Sequence, residues 1–352
     1  PAGNRLPTGG KPAAVRQPAA TWTHRRKRCK RAIFLRSGGC GVGYLYVLAA
    51  AVLWGTLGIW ARLAYDGNAR PNDVVFFRAL IAFLVALWVA RHKAGLLRAA
   101  ARSRLWLLVA YGTVSVGLFY LSYFWAVRLL PVAVAAVLLY TAPVFVALMA
   151  RFFLGEALAV PRLVALVVAL LGVALISGLG GAGAGDGAAV AGSMAAAPAL
   201  PPVGVLVGLL AGLTYATYTI FGKVAVRDLD PDVVVVYTLG VGTLFLFITL
   251  PPPRLLALDF MPGVWPVLVL LGVGPTYLAY RLYTHGLREV PASTAAIVAM
   301  VEPVVAAVLG GVLLRETLTA AQVAGGVLVL LGAALARIQP ARQDAASPGQ
   351  PG

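Results

Sequence analysis

YFWAVRLLPVAVAAVLLYTAPVFVALMARFFLGEALAVPRLVALVVALLGVAL, residues 123–175, returns without a gap as YTHGLREVPASTAAIVAMVEPVVAAVLGGVLLRETLTAAQVAGGVLVLLGAAL, residues 283–335, an offset of 160. Of the 53 aligned positions, 17 are identical, above the roughly one in six that shared apolar bias alone gives. The identities fall at punctuating positions: Tyr123 with Tyr283, Arg128 with Arg288, Pro131 with Pro291, Pro143 with Pro303, Glu156 with Glu316, and Gly172 with Gly332. That pattern is an internal duplication.

The rest of the chain is as apolar as the repeat. Hydrophobic residues make up 61%, charged residues 12%, and the mean hydropathy is +0.88, whereas a soluble domain holds about half apolar and a quarter charged residues. Apolar runs recur at 44–63, 74–90, 105–127, 131–153 and 160–178, then at 203–225, 233–250, 264–285, 291–314 and 319–337. Each approaches the run of about 20 residues that crosses a 30 Å hydrocarbon core. They are continuously apolar where barrel strands would alternate, so they read as helices. The expected fold is an all-α polytopic membrane protein of about ten transmembrane helices in two five-helix repeats, 44–178 and 203–337. An odd number of crossings per repeat inverts the second relative to the first.

Residues 1–43 read as a disordered basic arm or a gene-model extension, 179–202 as a Gly/Ala-rich linker, and 338–352 as a disordered tail. The net charge of +17 does not call for nucleic acid, because ten of the 29 Lys and Arg lie in the arm between Arg5 and Arg36 and most others flank apolar runs. With the N-terminus in the cytoplasm, 22 basic residues fall inside and five outside, namely Arg62, Arg70, Arg128, Arg254 and Arg315. Without the arm the ratio is 12 to 5. Both termini are therefore predicted cytoplasmic. Cys29 and Cys40 match no metal or redox spacing, and no metal or cofactor is implied.

Glu302 is the only carboxylate near the middle of an apolar run, about eleven residues or 16 Å into the ninth. It reads as a proton-coupling or substrate-binding group, or as a structural carboxylate beside Pro303. Its counterpart in the first repeat is Ala142, so symmetry does not demand the acid. Arg78 lies one turn inside the second run, where it either snorkels to the interface or clamps an anion such as a substrate carboxylate. Arg281 and His285 fall near the cytoplasmic end of the eighth run and suggest snorkelling or a gate. Pro143 and Pro303 each remove a helical hydrogen bond at mid-membrane depth and permit a kink lining a pore. Among the aromatics with polar tips, Trp54, Tyr140 and Tyr218 lie deepest. Glu156 and Glu316, at helix ends, read as turn-stabilising groups.

VLWGTLGIWARLA in the first run, FFRALIAF in the second, LGEAL at 154–158, LRETL at 314–318 and VEPVVAAVLGGVLL in the ninth run resemble the EamA-like transporters of the drug/metabolite transporter superfamily. The resemblance spans about 44–337. It implies two inverted five-helix repeats around a central cavity, and alternating-access transport, often export, of amino acids or other metabolites. The expected activity is secondary transport of a small solute across the cell membrane, with proton coupling suggested by Glu302. A passive channel is the alternative, and an intramembrane enzyme is the more distant one, since no metal-spaced cluster, nucleophile elbow or paired intramembrane acids occur. No Walker-type sequence is present to bind ATP. The Gly-rich final helices suggest a homodimer, though the same glycines could pack within one subunit.

Overall fold

The structure, a computed structural model, describes residues 39–157, 159–178, 200–249, 261–315 and 317–337. The expected basic arm up to residue 38, most of the linker, the C-terminal tail and Glu316 lie outside the described residues. Contacts gather Gly41–Gly352 into one unit. Among the described residues, regular structure is entirely helical, the solution forced on a chain whose backbone groups find no water in lipid.

We number the helical segments α1 to α10. The first repeat comprises α1 (Gly39–Gly55, resumed as Leu57–Asp66), α2 (Pro71–Ala90), α3 (Ala94–Gly112, continuing through Thr113–Leu118 to Phe119–Leu129), α4 (Val132–Leu139, Ala142–Met149 and Ala150–Leu154) and α5 (Val160–Ile176). The second comprises α6 (Pro202–Ala225), α7 (Pro231–Thr249), α8 (Val264–Leu271, Gly272–Leu278 and Ala279–Glu289), α9 (Ala292–Ala299, resumed as Glu302–Leu314) and α10 (Ala320–Leu335). Proline opens several of them, since its missing N–H is unpaired at a helix start in any case: Pro71, Pro202 and Pro231 begin α2, α6 and α7. At α10, Thr319 and Gln322 form a reciprocal capping box, with Thr319 N donating to Gln322 Oε1 at 2.9 Å and Gln322 N to Thr319 Oγ1 at 3.2 Å.

Among the described residues, six helical stretches are long and apolar enough to cross a bilayer, by length and composition: Gly41–Asp66, Pro71–Leu129, Val134–Leu154, Pro202–Ala225, Pro231–Thr249 and Ala292–Leu313. The second holds both α2 and α3, joined by the short turn Arg91–Lys93. Helices α5 and α10, of 17 and 16 residues, are about 25 Å long. The largest departure from the expected runs is α3, which begins at Ala94 rather than 105. Its added N-terminal stretch carries Arg98 and Arg102, charges that hide a helical surface segment from a reading based on apolar runs.

The duplication is visible in the irregularities. Wide π-helical turns at Thr113–Leu118 and Gly272–Leu278 are one offset apart. Breaks at Tyr140–Thr141 and Met300–Val301 interrupt α4 and α9 at equivalent places. Both helices end on left-handed residues, Gly155 at φ 69° and Arg315 at φ 57°. That conformation suits glycine and costs an arginine about 1 to 2 kcal/mol.

Packing obeys the same relation. A Cβ on Gly172 of α5 would lie 2.5 Å from Gly325 O of α10, and one on Gly332 would lie 2.8 Å from Ala165 O, the same contact with the repeats exchanged. Likewise Gly112 meets Thr238 and Val241, while Gly272 meets Arg78 and Ile81. Three glycines of the kind that suggested dimerisation, Gly172, Gly325 and Gly332, thus pack within one chain at the α5–α10 crossing. Gly172→Leu should separate these helices and lower the melting temperature in detergent by about 5 °C or more, as overpacking by 1 to 3 kcal/mol does. An unchanged melting curve would contradict the crossing.

Candidate substrate site

Between the repeats lies a small cavity of about 20 Å³, room for about one water molecule. Trp54, Pro143, Tyr215, Tyr218, Thr219 and Tyr283 contribute to its wall. The breaks in α4 and α9 bring their backbones here, with Ala142 and Ala299 also on the lining. Pro143 and Pro303 sit in the first turn of the resumed helices, so each proline occupies a restart where no amide is needed. The interruption therefore precedes the proline by about a turn, and Thr141 Oγ1 donates to Leu138 O at 2.6 Å within it.

The cavity floor is an aromatic cluster. Trp54 packs on Tyr280 with centroids 6.0 Å apart and on Tyr283 at 5.1 Å, and Tyr218 lies 5.0 Å from Tyr280 and 5.2 Å from Tyr111. Two of the cluster's hydroxyls are paired locally: Tyr283 Oη and Thr219 Oγ1 share a hydrogen bond of 2.8 Å, and Tyr218 Oη is 3.4 Å from Thr284 Oγ1, whereas the buried Tyr111 Oη has no hydrogen-bond partner among the described residues. Such tilted and edge-on pairs contribute about 0.5 to 1.5 kcal/mol each beyond area burial, which makes a stiff floor. Repeat alignment at α1 and α6 runs at an offset of 161, so Trp54 of α1 and Tyr215 of α6 face the cavity as counterparts.

Glu302 and Arg78 are the charged candidates of the site, though neither contributes to the cavity wall. Glu302 is half-buried in α9, beside α1, where a Cβ on Gly55 would lie 2.8 Å from Glu302 O. The Glu302 carboxylate interacts electrostatically with Arg78, Tyr123, Tyr140, Tyr215 and Tyr280. Arg78 is only 9% exposed and its guanidinium lies 5.0 Å from the centre of the Tyr120 ring. It is held inside the protein over an aromatic face. Among the described residues neither Glu302 nor Arg78 makes a hydrogen bond or an ion pair through its side chain. Opposite charges left apart inside a membrane domain are costly. Tyr140, at the α4 break, belongs to the same electrostatic neighbourhood.

Arg281 and His285 lie elsewhere, at the end of the bundle where α2 meets α3. There Asp232, at the start of α7, accepts from Arg281 Nε at 2.7 Å and from Lys93 Nζ at 2.7 Å, while His285 Nε2 stands 3.9 Å away. Lys93 also donates to Asp230 at 2.8 Å, and Arg104 pairs with Asp228 at 2.5 Å. Glu156, expected to stabilise its own turn, instead reaches the other repeat. It accepts from Ala292 N at 2.7 Å, Ser293 N at 3.2 Å and Ser293 Oγ at 2.7 Å, and so caps α9. Lys223 Nζ donates to Leu287 O and Val290 O at 2.5 and 2.7 Å. At this end α4 packs closely on α6, with Ala142, Pro143, Val146 and Ala147 buried. Their counterparts at the other end, Leu57–Asp66 of α1 and Glu302–Leu314 of α9, touch sparsely.

Asp232 and the interrepeat reach of Glu156 escaped sequence reasoning. Both stand at helix termini, where an acid ordinarily serves its own helix, and only the fold brings distant cations or amides to them. Asp232 did carry one signal, its place two residues after Asp230 in DLDPD.

A helical membrane protein of two related halves, with an aromatic cavity between them, has the plan of a solute transporter. Residues 41–178 and 202–338 each match the EamA-like transporter family, and the chain belongs to that family, within the drug/metabolite transporter superfamily. An uncharacterized transporter of Archaeoglobus fulgidus is 30% identical over 294 residues, covering 84% of this chain and 96% of the relative. The uncharacterized transporter YwfM of Bacillus subtilis is 28% identical over 310 residues, covering 86% and 96%. A crystal structure shares the fold with a TM-score of 0.68 at 20% identity, covering 84% of this chain and 96% of the other.

Proposed function

We propose that this chain is a secondary transporter of the cytoplasmic membrane that moves a small zwitterionic metabolite, an amino acid or similar, by alternating access, in the direction of export. The observation that carries the reading is the pair of opposite charges Arg78 and Glu302, unpaired among the described residues, with Glu302 directly after the α9 break and three residues beyond Ala299 of the aromatic cavity. Arg78 offers a bidentate seat for a carboxylate. Glu302 offers a seat for an ammonium group, or a proton when that seat is empty, and this alternation couples solute movement to a proton gradient. The polar bonds from Lys93, Glu156, Lys223 and Arg281 form the cytoplasmic gate in its closed state, with both termini on that side. The sparse α1–α9 contact is the opposite gate, poised open. These roles are consistent with two repeats that rock about their shared axis.

Reconstituted into proteoliposomes and offered a panel of amino acids and related metabolites, with and without a pH gradient, the protein should accumulate a zwitterion when the gradient is imposed. Solute loaded on the trans side should accelerate uptake of labelled solute, as it does for a carrier and not for a channel. Failure of trans-acceleration for every solute transported would favour the channel. Arg78→Lys keeps the charge and loses the planar fork, so the half-saturation concentration should rise about tenfold or more with the coupling to pH retained. Equal affinity in the two proteins would remove Arg78 from the binding role.

A further inference from the structure

We propose that the α2–α3 connection is a docking ledge for the headgroups of anionic phospholipids. Ala94–Ser103 is set off from the rest of α3 by a non-helical residue, Arg104, at φ −140° and ψ 23°. One side of this stretch packs on α7: Ala100 joins Leu108 and Val233 in the core, and Tyr237 Oη donates to Leu97 O at 2.9 Å. Arg98 and Arg102, four residues apart and so on one helical face, are exposed. Arg91 lies just before them, with its guanidinium 4.5 Å from the centre of the exposed Trp88 ring.

The basic residues of this connection divide into two sets. Lys93 and Arg104 are neutralised by Asp230, Asp232 and Asp228. Arg91, Arg98 and Arg102 have no acidic partner among the described residues. Trp106 is 85% exposed directly after the kink, and tryptophan beside arginine is the composition of a segment held at headgroup depth. Three uncompensated guanidinium groups between two exposed indoles complement a phosphate presented by a bilayer, with acyl chains lying against the rings. Since Lys93 in the same connection holds Asp232, a bound headgroup also steadies the turn that closes this end of the bundle.

The test reads lipid contact at Trp106, independently of transport, so it stands or fails apart from the transporter reading. The protein and its Trp106→Phe variant are reconstituted with brominated phosphatidylglycerol or brominated phosphatidylcholine, and the difference in fluorescence isolates the quenching of Trp106. Wild type should be half-quenched at an about tenfold lower fraction of phosphatidylglycerol than of phosphatidylcholine. With Arg98→Gln and Arg102→Gln together, in protein whose elution and helicity are unchanged, the two lipids should quench alike. Arg151→Gln, which removes an exposed charge at the end of α4, should keep the preference. Equal quenching by both lipids in wild type, a preference that survives the double substitution, or its loss in Arg151→Gln overturns the proposal. Displacement of phosphatidylglycerol by millimolar inorganic phosphate assigns the ledge to free phosphate and overturns it as well.

Discussion

Glu302→Gln is expected to abolish accumulation driven by a pH gradient while leaving the protein folded and correctly inserted. The amide matches the acid in shape, so the α1–α9 contact at Gly55 survives. What disappears is the negative charge opposite Arg78 and the ability to exchange a proton. Loss of one partner from a desolvated charged contact costs about 2 to 5 kcal/mol, so binding of a solute ammonium should weaken roughly 30-fold or more. Arg78, left without a compensating charge, should favour solutes carrying a carboxylate alone. The measurement is proteoliposome uptake with and without an imposed gradient, beside counterflow at zero gradient. Undiminished gradient-driven accumulation by Glu302→Gln would end the coupling role.

Asp232→Ala is expected to shift the transporter toward the state open at the α2–α3 end. Lys93 and Arg281 both spend their charge on this carboxylate, which is itself only 10% exposed. The cations are 34% and 38% exposed, so the contribution falls between that of a surface pair and a buried one, about 1 to 3 kcal/mol. That corresponds to a roughly 5- to 150-fold change in the ratio of states. A reporter cysteine at Ala296, which lines the cavity, placed in protein lacking Cys29 and Cys40, should react with a maleimide from that end faster by such a factor. Asp232→Glu should restore most of the protection. An unchanged labelling rate would show that these bonds are not what keeps the gate shut.

The two expectations draw on different kinds of information. Glu302 was conspicuous in the bare sequence because a carboxylate amid apolar residues has no inexpensive place to go. Arg78 was ambiguous, since snorkelling and anion clamping begin from the same position one turn inside a helix. The fold buries its guanidinium over Tyr120 rather than letting it reach water. Trp54 and Tyr218 join the aromatic floor, and Tyr140 approaches Glu302 from the α4 break. Tyr283 also lines the cavity, and Tyr280 packs against Trp54 and Tyr218 behind it. Arg281 and His285 do not approach it.

By itself the sequence determined the membrane class, the helical fold and the duplication, because these follow from local hydropathy and from repetition at a fixed offset. Even the equivalence of the α4 and α9 breaks was foreshadowed by Pro143 and Pro303. Only the tertiary structure decided which charges meet. The α5–α10 crossing takes up Gly172 and Gly325 inside one chain, Glu156 finds the amides of the opposite repeat, and Asp232 gathers cations from α8 and the α2–α3 turn. The charged partnership of Lys93 with Asp232 joins residues 139 positions apart, and electrostatic attraction acts through space, with no periodicity along the chain to announce it.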